Sequence, residues 1–86
     1  MEVQVRCYGR VKQALGTRRT TVTLARGSTV GDLLGSLEDA HAEFDPERVS
    51  GPSGLIVMRA RQHLDDHTAL SDGDVVSISD SPMVEG

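Results

Sequence analysis

The C-terminal residues carry the group with the clearest chemical potential. A turn signal at residues 72–74 and a short apolar segment at residues 75–79 precede a tail, residues 81–86, that closes with Pro82, Met83, Val84, Glu85 and Gly86. Terminal residues of an ordinary domain are usually frayed and dispensable. Glycine has no side chain, so an enzyme could close around the backbone there. The pattern predicts that the Gly86 carboxylate is the reactive group, carried by a domain of residues 1–80.

Other reactive side chains form weaker patterns. His63, Asp65, Asp66 and His67 could in principle bind Zn²⁺ or Ni²⁺, but they fall in a predicted loop whose spacing does not place them on one helix face. Cys7 lies on the apolar side of an alternating segment, as is typical of a small core residue. No nucleophile elbow or phosphate loop is present. We therefore expect no metal, no cofactor and no catalytic activity.

Length and composition restrict the class of protein. The 86 residues suit one domain, and with Tyr8 and Phe44 as the only aromatic residues the core must consist of Val, Leu, Ile and Ala. A single cysteine excludes an internal disulfide. No apolar run has membrane-spanning length and no signal peptide is evident, which predicts a cytoplasmic protein without membrane contact.

The charges are distributed in blocks. Basic residues dominate the first third, whereas residues 32–47 and 65–85 are acidic, and the formal net charge is −4. The basic third lacks interleaved aromatic residues, so we expect no nucleic-acid binding. We expect the acidic blocks to steer a monomeric chain towards a basic partner surface. Lys12 is the only lysine beside eight arginines, a composition that suits a salt-adapted cytoplasm, although a GC-rich genome gives the same bias.

The first half of the chain changes from strand to helix periodicity. Residues 2–8 and 20–24 alternate as half-buried strands and should pair as a hairpin, with a helical turn at residues 10–15 closed by Gly16. Thr29 and Asp32 have the spacing of a capping box. Apolar residues then follow at helical spacing, and the Asp-Pro pair at residues 45–46 is expected to end this helix.

The second half predicts two more strands. Residues 46–54 should form a loop, and residues 55–58, Leu-Ile-Val-Met, should form a central strand buried on both faces. Residues 63–70 look irregular, with Leu70 anchored in the core, and residues 75–79 form the last strand after the turn. Two strands, a helix and two more strands predict an α+β fold, a mixed sheet with one helix across one face. This ββαββ order is that of the ubiquitin-like β-grasp.

Several segments of the chain resemble one family. Residues 29–34, Thr-Val-Gly-Asp-Leu-Leu, are similar to the helix start of the MoaD and ThiS sulfur carriers and the small archaeal modifier proteins. Residues 70–76, Leu-Ser-Asp-Gly-Asp-Val-Val, resemble the turn before their last strand, and residues 9–17 resemble the MoaD segment after strand one. The resemblance covers essentially the whole chain.

The resemblance implies that the protein carries a reactive group. An E1-like enzyme would use ATP to adenylate the C-terminal glycine, which would then become a thiocarboxylate for sulfur insertion or form an isopeptide bond with lysines of target proteins. Gly86 matches the reacting glycine, and Pro82, Met83, Val84 and Glu85 would be threaded into the partner. Tyr8 matches an aromatic residue on the partner-docking face. Partners would be the E1-like enzyme and either the large subunit of molybdopterin synthase or target lysines, with Lys12 as the side-chain acceptor for self-conjugation.

The chain departs from the family pattern at several places, including its C-terminus and the turn after the third strand. The family ends Gly-Gly, whereas this chain ends Glu85-Gly86, which adds bulk and negative charge close to the ATP phosphates. The Asn-Gly turn after the third strand is replaced by Arg59, Ala60 and Arg61. Glu85 supports an alternative function, in which the protein is a β-grasp interaction module that docks through its sheet face and is never activated.

Overall fold

A computed structural model describes residues 1–49 and 54–80 of the chain. Its strands and helices follow in the order β1 (Glu2–Cys7), α1 (Gly9–Leu15), β2 (Arg19–Thr23), α2 (Val30–Ala40), α3 (Pro46–Val49), β3 (Ile56–Arg59), β4 (Gln62–Leu64) and β5 (Val75–Ser79).

The strands form one mixed sheet in the order β2-β1-β5-β3-β4. β1 and β5 run parallel, and the other neighbouring pairs are antiparallel. The predicted hairpin is confirmed, with Val3 opposite Val22. β5 occupies the centre, so the last strand of the described chain is hydrogen-bonded along both edges.

The core lies between one face of the sheet and α2. Val3, Val5 and Cys7 alternate with exposed residues along β1, as the sequence pattern predicted. The buried core cluster comprises Val3, Val5, Cys7, Val11, Leu15, Val30, Leu33, Leu37, Phe44, Val49, Val57, Leu70, Val76 and Ile78. Aliphatic side chains dominate this set, and the α+β, β-grasp arrangement of helix on mixed sheet is the predicted one.

The start of α2 is confirmed and its end was predicted wrongly. Thr29 Oγ1 accepts the Asp32 N–H at 3.3 Å, and Asp32 Oδ2 accepts the Thr29 N–H at 2.8 Å, which completes the capping box. The helix ends at Ala40 rather than at residues 45–46. Its 11 residues span about 16 Å, close to the ~17 Å length of a five-residue strand, and the chain then turns so that Phe44 enters the core.

The Asp-Pro pair begins a helix instead of ending one. Asp45 Oδ1 accepts the Glu47 N–H at 3.0 Å, and Pro46 is the first residue of α3. An N-terminal capping aspartate followed by proline, whose missing N–H is not needed in the first turn, favours this start. The predicted loop at residues 46–54 is therefore helical up to Val49, and residues 50–53 lie outside the described chain.

The third strand is followed directly by a further strand that the sequence did not reveal. Residues 63–70 were expected to be irregular, but His63 and Leu64 pair with β3 as part of β4 (Gln62–Leu64). Ala60 and Arg61 both have positive φ, 50° and 67°, as the two central residues of a type I′ hairpin turn require. Full burial of the strand predicted at residues 55–58 was also wrong, because Ile56 and Val57 are buried but Leu55 and Met58 are only half-buried.

The structure confirms the burial of Leu70, the turn at residues 72–73 and the last strand, β5. Within the described ranges, no helix combines the length and the apolar content that crossing a membrane requires.

Candidate functional site

The described chain ends at Asp80, one residue after the central strand, and we call Ser79 and Asp80 the tail root. β5 is held by β1 on one edge and by β3 on the other, with Cys7 opposite Ile78 and Ile56 opposite Ser79. The Tyr8 N–H donates to the Ile78 carbonyl at 3.0 Å and extends the pairing to the end of β5. The residue that follows this strand is therefore attached to a strand that is hydrogen-bonded along both edges.

The Asp80 carboxylate fixes the tail root against the start of α1. Asp80 Oδ1 accepts the Arg10 N–H at 3.3 Å, and Asp80 Oδ2 lies 3.8 Å from Arg10 Nε. Gly9 adopts φ +59°, and a Cβ atom at this position would overlap Asp80 Oδ1. Glycine is thus favoured at position 9 by the left-handed backbone conformation, and it leaves room for the approach of the carboxylate.

The turn before β5 is held by its own side chains. Asp72 Oδ1 accepts the Glu2 N–H at 2.8 Å, and the Gly73 N–H donates to the Glu2 carbonyl at 2.8 Å. Asp74 Oδ2 accepts the Ser71 N–H at 2.8 Å and pairs with Arg59 Nη1 at 2.7 Å. The Asp-Gly-Asp motif therefore ties the start of β5 to β1 and to the β3–β4 hairpin, and its role here is to position the strand.

The sheet face opposite α2, which we call the open face, carries Tyr8 at one end. Tyr8 is the N-cap of α1, has extended backbone angles and is half-buried, so it continues the alternation of Gln4 and Arg6 along β1. One row of this face crosses all five strands through Arg19, Arg6, Ser77, Met58 and His63. Val75 on the same face is 39% exposed. The structure thus places Tyr8 beside the tail root and at the edge of an accessible surface.

Lys12, the predicted acceptor for self-conjugation, lies exposed on α1. The described parts of the chain give its amine no ion pair.

Cys7 is 2% exposed in the core, as predicted. Desolvation by the surrounding apolar side chains raises the pKa of its thiol, which disfavours the thiolate. A buried thiol of this kind is a poor nucleophile and a poor metal ligand.

The two histidines and two aspartates at residues 63–67 do not assemble into a metal site. Asp65 Oδ1 instead accepts the His67 N–H at 2.9 Å and the Thr68 hydroxyl at 3.1 Å, which closes a local turn. Across residues 1–49 and 54–80, no group of three or more His, Cys, Asp or Glu side chains could hold a metal ion.

The predicted tail residues Pro82, Met83, Val84, Glu85 and Gly86 lie outside the described chain. Sequence reasoning missed the contact of Asp80 with Gly9 and Arg10 and the pair of Arg59 with Asp74. Both contacts join residues at least 15 positions apart, so no local pattern could reveal the partner. For the contact of Asp80 with Gly9 and Arg10, the one available sequence signal was a glycine directly after a strand and before a helical turn.

Comparison with known proteins supports a single family. The family model described as the ThiS family matches residues 5–78. This range begins in β1 and ends in β5, so it includes all five strands of the sheet. A comparison with curated proteins gave no significant match.

Solved structures with similar folds include proteins from Haloferax volcanii and Pyrococcus furiosus. The crystal structure of SAMP1 from Haloferax volcanii superposes with a TM-score of 0.77 at 25% identity, over 100% of this chain and 99% of that one. The solution structure of the H. volcanii HVO 2177 protein gives a TM-score of 0.75 at 26% identity, over 100% and 87% of the two chains. Molybdopterin converting factor subunit 1 from Pyrococcus furiosus gives 0.79 at 21% identity over 92% and 95%, a similarity that shows the shared fold alone.

The family resemblance of residues 9–17, 29–34 and 70–76 is confirmed by the family match. The five-stranded β-grasp and the similarity to SAMP1 agree with it. The chain belongs to the ThiS family and is a ubiquitin-like carrier or modifier protein rather than a catalyst.

Proposed function

We propose that the protein is activated at the carboxylate of Gly86 by an E1-like enzyme that uses ATP. The observation that carries the proposal is the position of the tail root. β5 lies at the centre of the sheet and is followed directly by Asp80, whose carboxylate contacts the start of α1. An extended segment of six residues, 81–86, would reach about 20 Å from this point, far enough to enter a neighbouring protein while the β-grasp body stays outside.

The proposed reaction has two steps. The Gly86 carboxylate attacks the α-phosphorus of ATP, pyrophosphate leaves, and an acyl adenylate forms. Hydrosulfide (HS⁻) then attacks the acyl carbon, the acyl–phosphate bond breaks and AMP leaves, and loss of the sulfur-bound proton gives the thiocarboxylate. If the nucleophile is a lysine amine, the product is an isopeptide bond. The chain itself supplies only the carboxylate and the surface that presents it.

Intact-mass spectrometry of the full chain tests this proposal. After incubation with ATP, sulfide and the E1-like enzyme of the same organism, the expected product gains the mass difference between one sulfur and one oxygen. Deletion of Gly86 should abolish that gain and leave the thermal unfolding midpoint unchanged, since we expect the folded domain to comprise residues 1–80. A wild-type mass that does not change would favour the alternative function, a β-grasp interaction module that is never activated.

Glu85 is the feature that supports the alternative. Its carboxylate would lie next to the reacting carbonyl and close to the ATP phosphates, where negative charge is unfavourable. Glu85→Gly should therefore make adenylate formation equally fast or faster, measured as pyrophosphate release. Glu85→Gln is the matched control, because it removes the charge and keeps the bulk. A clearly slower Glu85→Gly variant would show that the partner recognises this glutamate.

Tyr8 is proposed to anchor the docking surface. It lies beside the tail root and is half-buried, so part of its ring is available to a partner. Tyr8→Ala should weaken binding of the E1-like enzyme by roughly 1–3 kcal/mol, as expected for an interfacial aromatic residue. Tyr8→Phe, the control, should bind nearly as well as the wild type. Unchanged affinity of Tyr8→Ala in a calorimetric titration would limit Tyr8 to a structural role.

Self-conjugation would use Lys12, the one side-chain amine of the sequence. Its exposed position on α1 leaves the amine accessible to an activated carboxylate of another molecule. Lys12→Arg should remove all side-chain-linked polymers and keep conjugates with other target proteins. Branched peptides at any side chain other than lysine would contradict this assignment.

Sulfur delivery and protein tagging differ in the partner that receives the activated carboxylate. The likeness to SAMP1 at 25% identity is consistent with lysines of target proteins. Molybdopterin converting factor subunit 1 has the same fold, which is consistent with the large subunit of a molybdopterin synthase as the partner. Both routes begin with the same adenylate.

A further inference from the structure

A basic groove lies at the end of the sheet where the tail root is found. It has a volume of about 470 Å³ and is lined by Arg6, Cys7, Tyr8, Lys12, Arg18 and Arg19. We call this feature the basic groove. Four of the six lining residues are cationic and exposed, and no acidic residue of the described chain lines it. In a protein of net charge −4, this surface has the opposite sign to the whole molecule.

The cations of the basic groove are not neutralised inside the described body. Within residues 1–49 and 54–80 the ion pairs are Arg10 with Asp80 and Arg59 with Asp74, and neither includes a groove residue. Arg6 and Arg19 also lie directly opposite each other in the β1–β2 pair. Like charges at directly opposed positions of an antiparallel pair destabilise the sheet. A pair of like charges that opposes folding is expected at positions where the residues serve binding rather than stability.

The basic groove is adjacent to the tail root. Tyr8 lines the groove, and its N–H donates to the Ile78 carbonyl at 3.0 Å. Cys7, another lining residue, is opposite Ile78 in the parallel β1–β5 pair. A protein that takes up the tail after Asp80 must therefore come close to the groove. At moderate salt, charges interact over about 10 Å, and the partner's surface would lie within that distance of the groove cations.

We propose that the basic groove binds an acidic surface of the protein that takes up the tail, at the rim of the opening into which the tail inserts. This inference rests on the proposed function and adds the charge of the partner's surface. The net negative charge of the chain favours long-range approach to basic surfaces, whereas the groove selects an acidic one at short range. A nucleic acid is disfavoured because the chain is acidic overall and Tyr8 is the only aromatic residue at the groove.

Binding of the full-length chain to the E1-like enzyme of the same organism tests the proposal. The variant Arg6→Gln/Arg19→Gln removes two groove charges and the repulsion between them. The control Arg26→Gln/Arg61→Gln removes the same total charge at the opposite end of the sheet, where Arg26 lies near Asp72 and Arg61 lies in the β3–β4 turn. Thermal unfolding should show that the groove variant is at least as stable as the wild type.

At about 0.1 M salt the groove variant should bind about ten-fold more weakly than the wild type, and the control should differ by less than about two-fold. At about 1 M salt, where the screening length is about 3 Å, the three proteins should bind equally. Equal weakening of both variants, no weakening of the groove variant, or absence of wild-type binding would overturn the proposal. Tighter binding of a single-stranded oligonucleotide than of the enzyme, lost in the same variant, would overturn it in favour of a nucleic-acid surface.

Pyrophosphate release, measured on the same samples, separates this proposal from the proposed function. Adenylate formation together with binding that does not depend on the groove would overturn the groove proposal alone. Groove-dependent binding without adenylate formation would overturn the proposed activation and leave the acidic docking partner in place.

Discussion

Replacement of Gly9 by alanine should release the Asp80 carboxylate from the start of α1. Gly9 has φ +59°, and an added Cβ would overlap the Asp80 carboxylate. Gly16 has φ +72°, but a Cβ there would meet no atom within 4 Å. The two glycines therefore share the backbone requirement and differ in the contact with Asp80, which makes Gly16→Ala the matched control.

The structure allows the cost of each variant to be compared. An alanine held in the left-handed region costs about 1–2 kcal/mol, and this term applies to both glycines. Gly9→Ala also displaces Asp80 and breaks its bond to the Arg10 N–H, which adds about 1 kcal/mol. We expect Gly9→Ala to lower the free energy of unfolding by about 2–3 kcal/mol, and Gly16→Ala by about 1–2 kcal/mol.

Urea unfolding followed by circular dichroism measures these free energies, and a double-mutant cycle isolates the contact. With Asp80→Ala present, Gly9→Ala should cost no more than the Gly16 control, which gives a coupling energy of about 1 kcal/mol between positions 9 and 80. Equal effects of Gly9→Ala and Gly16→Ala, together with additivity in the cycle, would refute the assignment of Asp80 as the residue that fixes the tail root.

Three further predictions concern the turn, the buried thiol and the charges. Arg61→Gly should stabilise the fold by about 0.5–1 kcal/mol, because relief of the positive φ exceeds the entropic cost of glycine; a lower urea midpoint would contradict this. Burial raises the pKa of the Cys7 thiol, so the stability that depends on the protonated thiol is present below about pH 8.5 and is lost as pH rises through the folded-state pKa. The free energy of unfolding of Cys7→Ala should fall less steeply than that of the wild type above that pH, and parallel curves would contradict the assignment. Amide-proton spectra should become more dispersed between dilute buffer and about 1 M salt, as screening weakens repulsion among the acidic blocks; a spectrum that is fully dispersed throughout would exclude salt adaptation.

The parts of the fold that the sequence could predict depend on interactions between residues close together in the chain. The strand alternation of β1 and the reciprocal bonds of Thr29 and Asp32 involve residues two or three positions apart, and both are confirmed. The turn and strand that lead to the tail root were predictable for the same reason, since an Asp-Gly-Asp turn followed by β-branched residues is a local signal.

The parts that sequence could not predict depend on tertiary context. No glycine or proline marks the end of α2 at Ala40, which is set by the packing of Phe44. β4 has no apolar alternation of its own and exists because it pairs with β3 through a turn of Ala60 and Arg61, neither of which favours positive φ. The basic groove likewise brings Arg6 and Arg19 together only through the register of two strands.

ATP–pyrophosphate exchange measures whether the C-terminal glycine is the group on which the partner acts. The purified E1-like enzyme of the same organism would be incubated with labelled pyrophosphate, ATP and either the full chain or the chain without Gly86. Exchange should saturate with the full chain and be absent with the truncated one, although both chains are expected to fold alike. Equal exchange with both chains, or none with the full chain, would contradict the proposed role of Gly86.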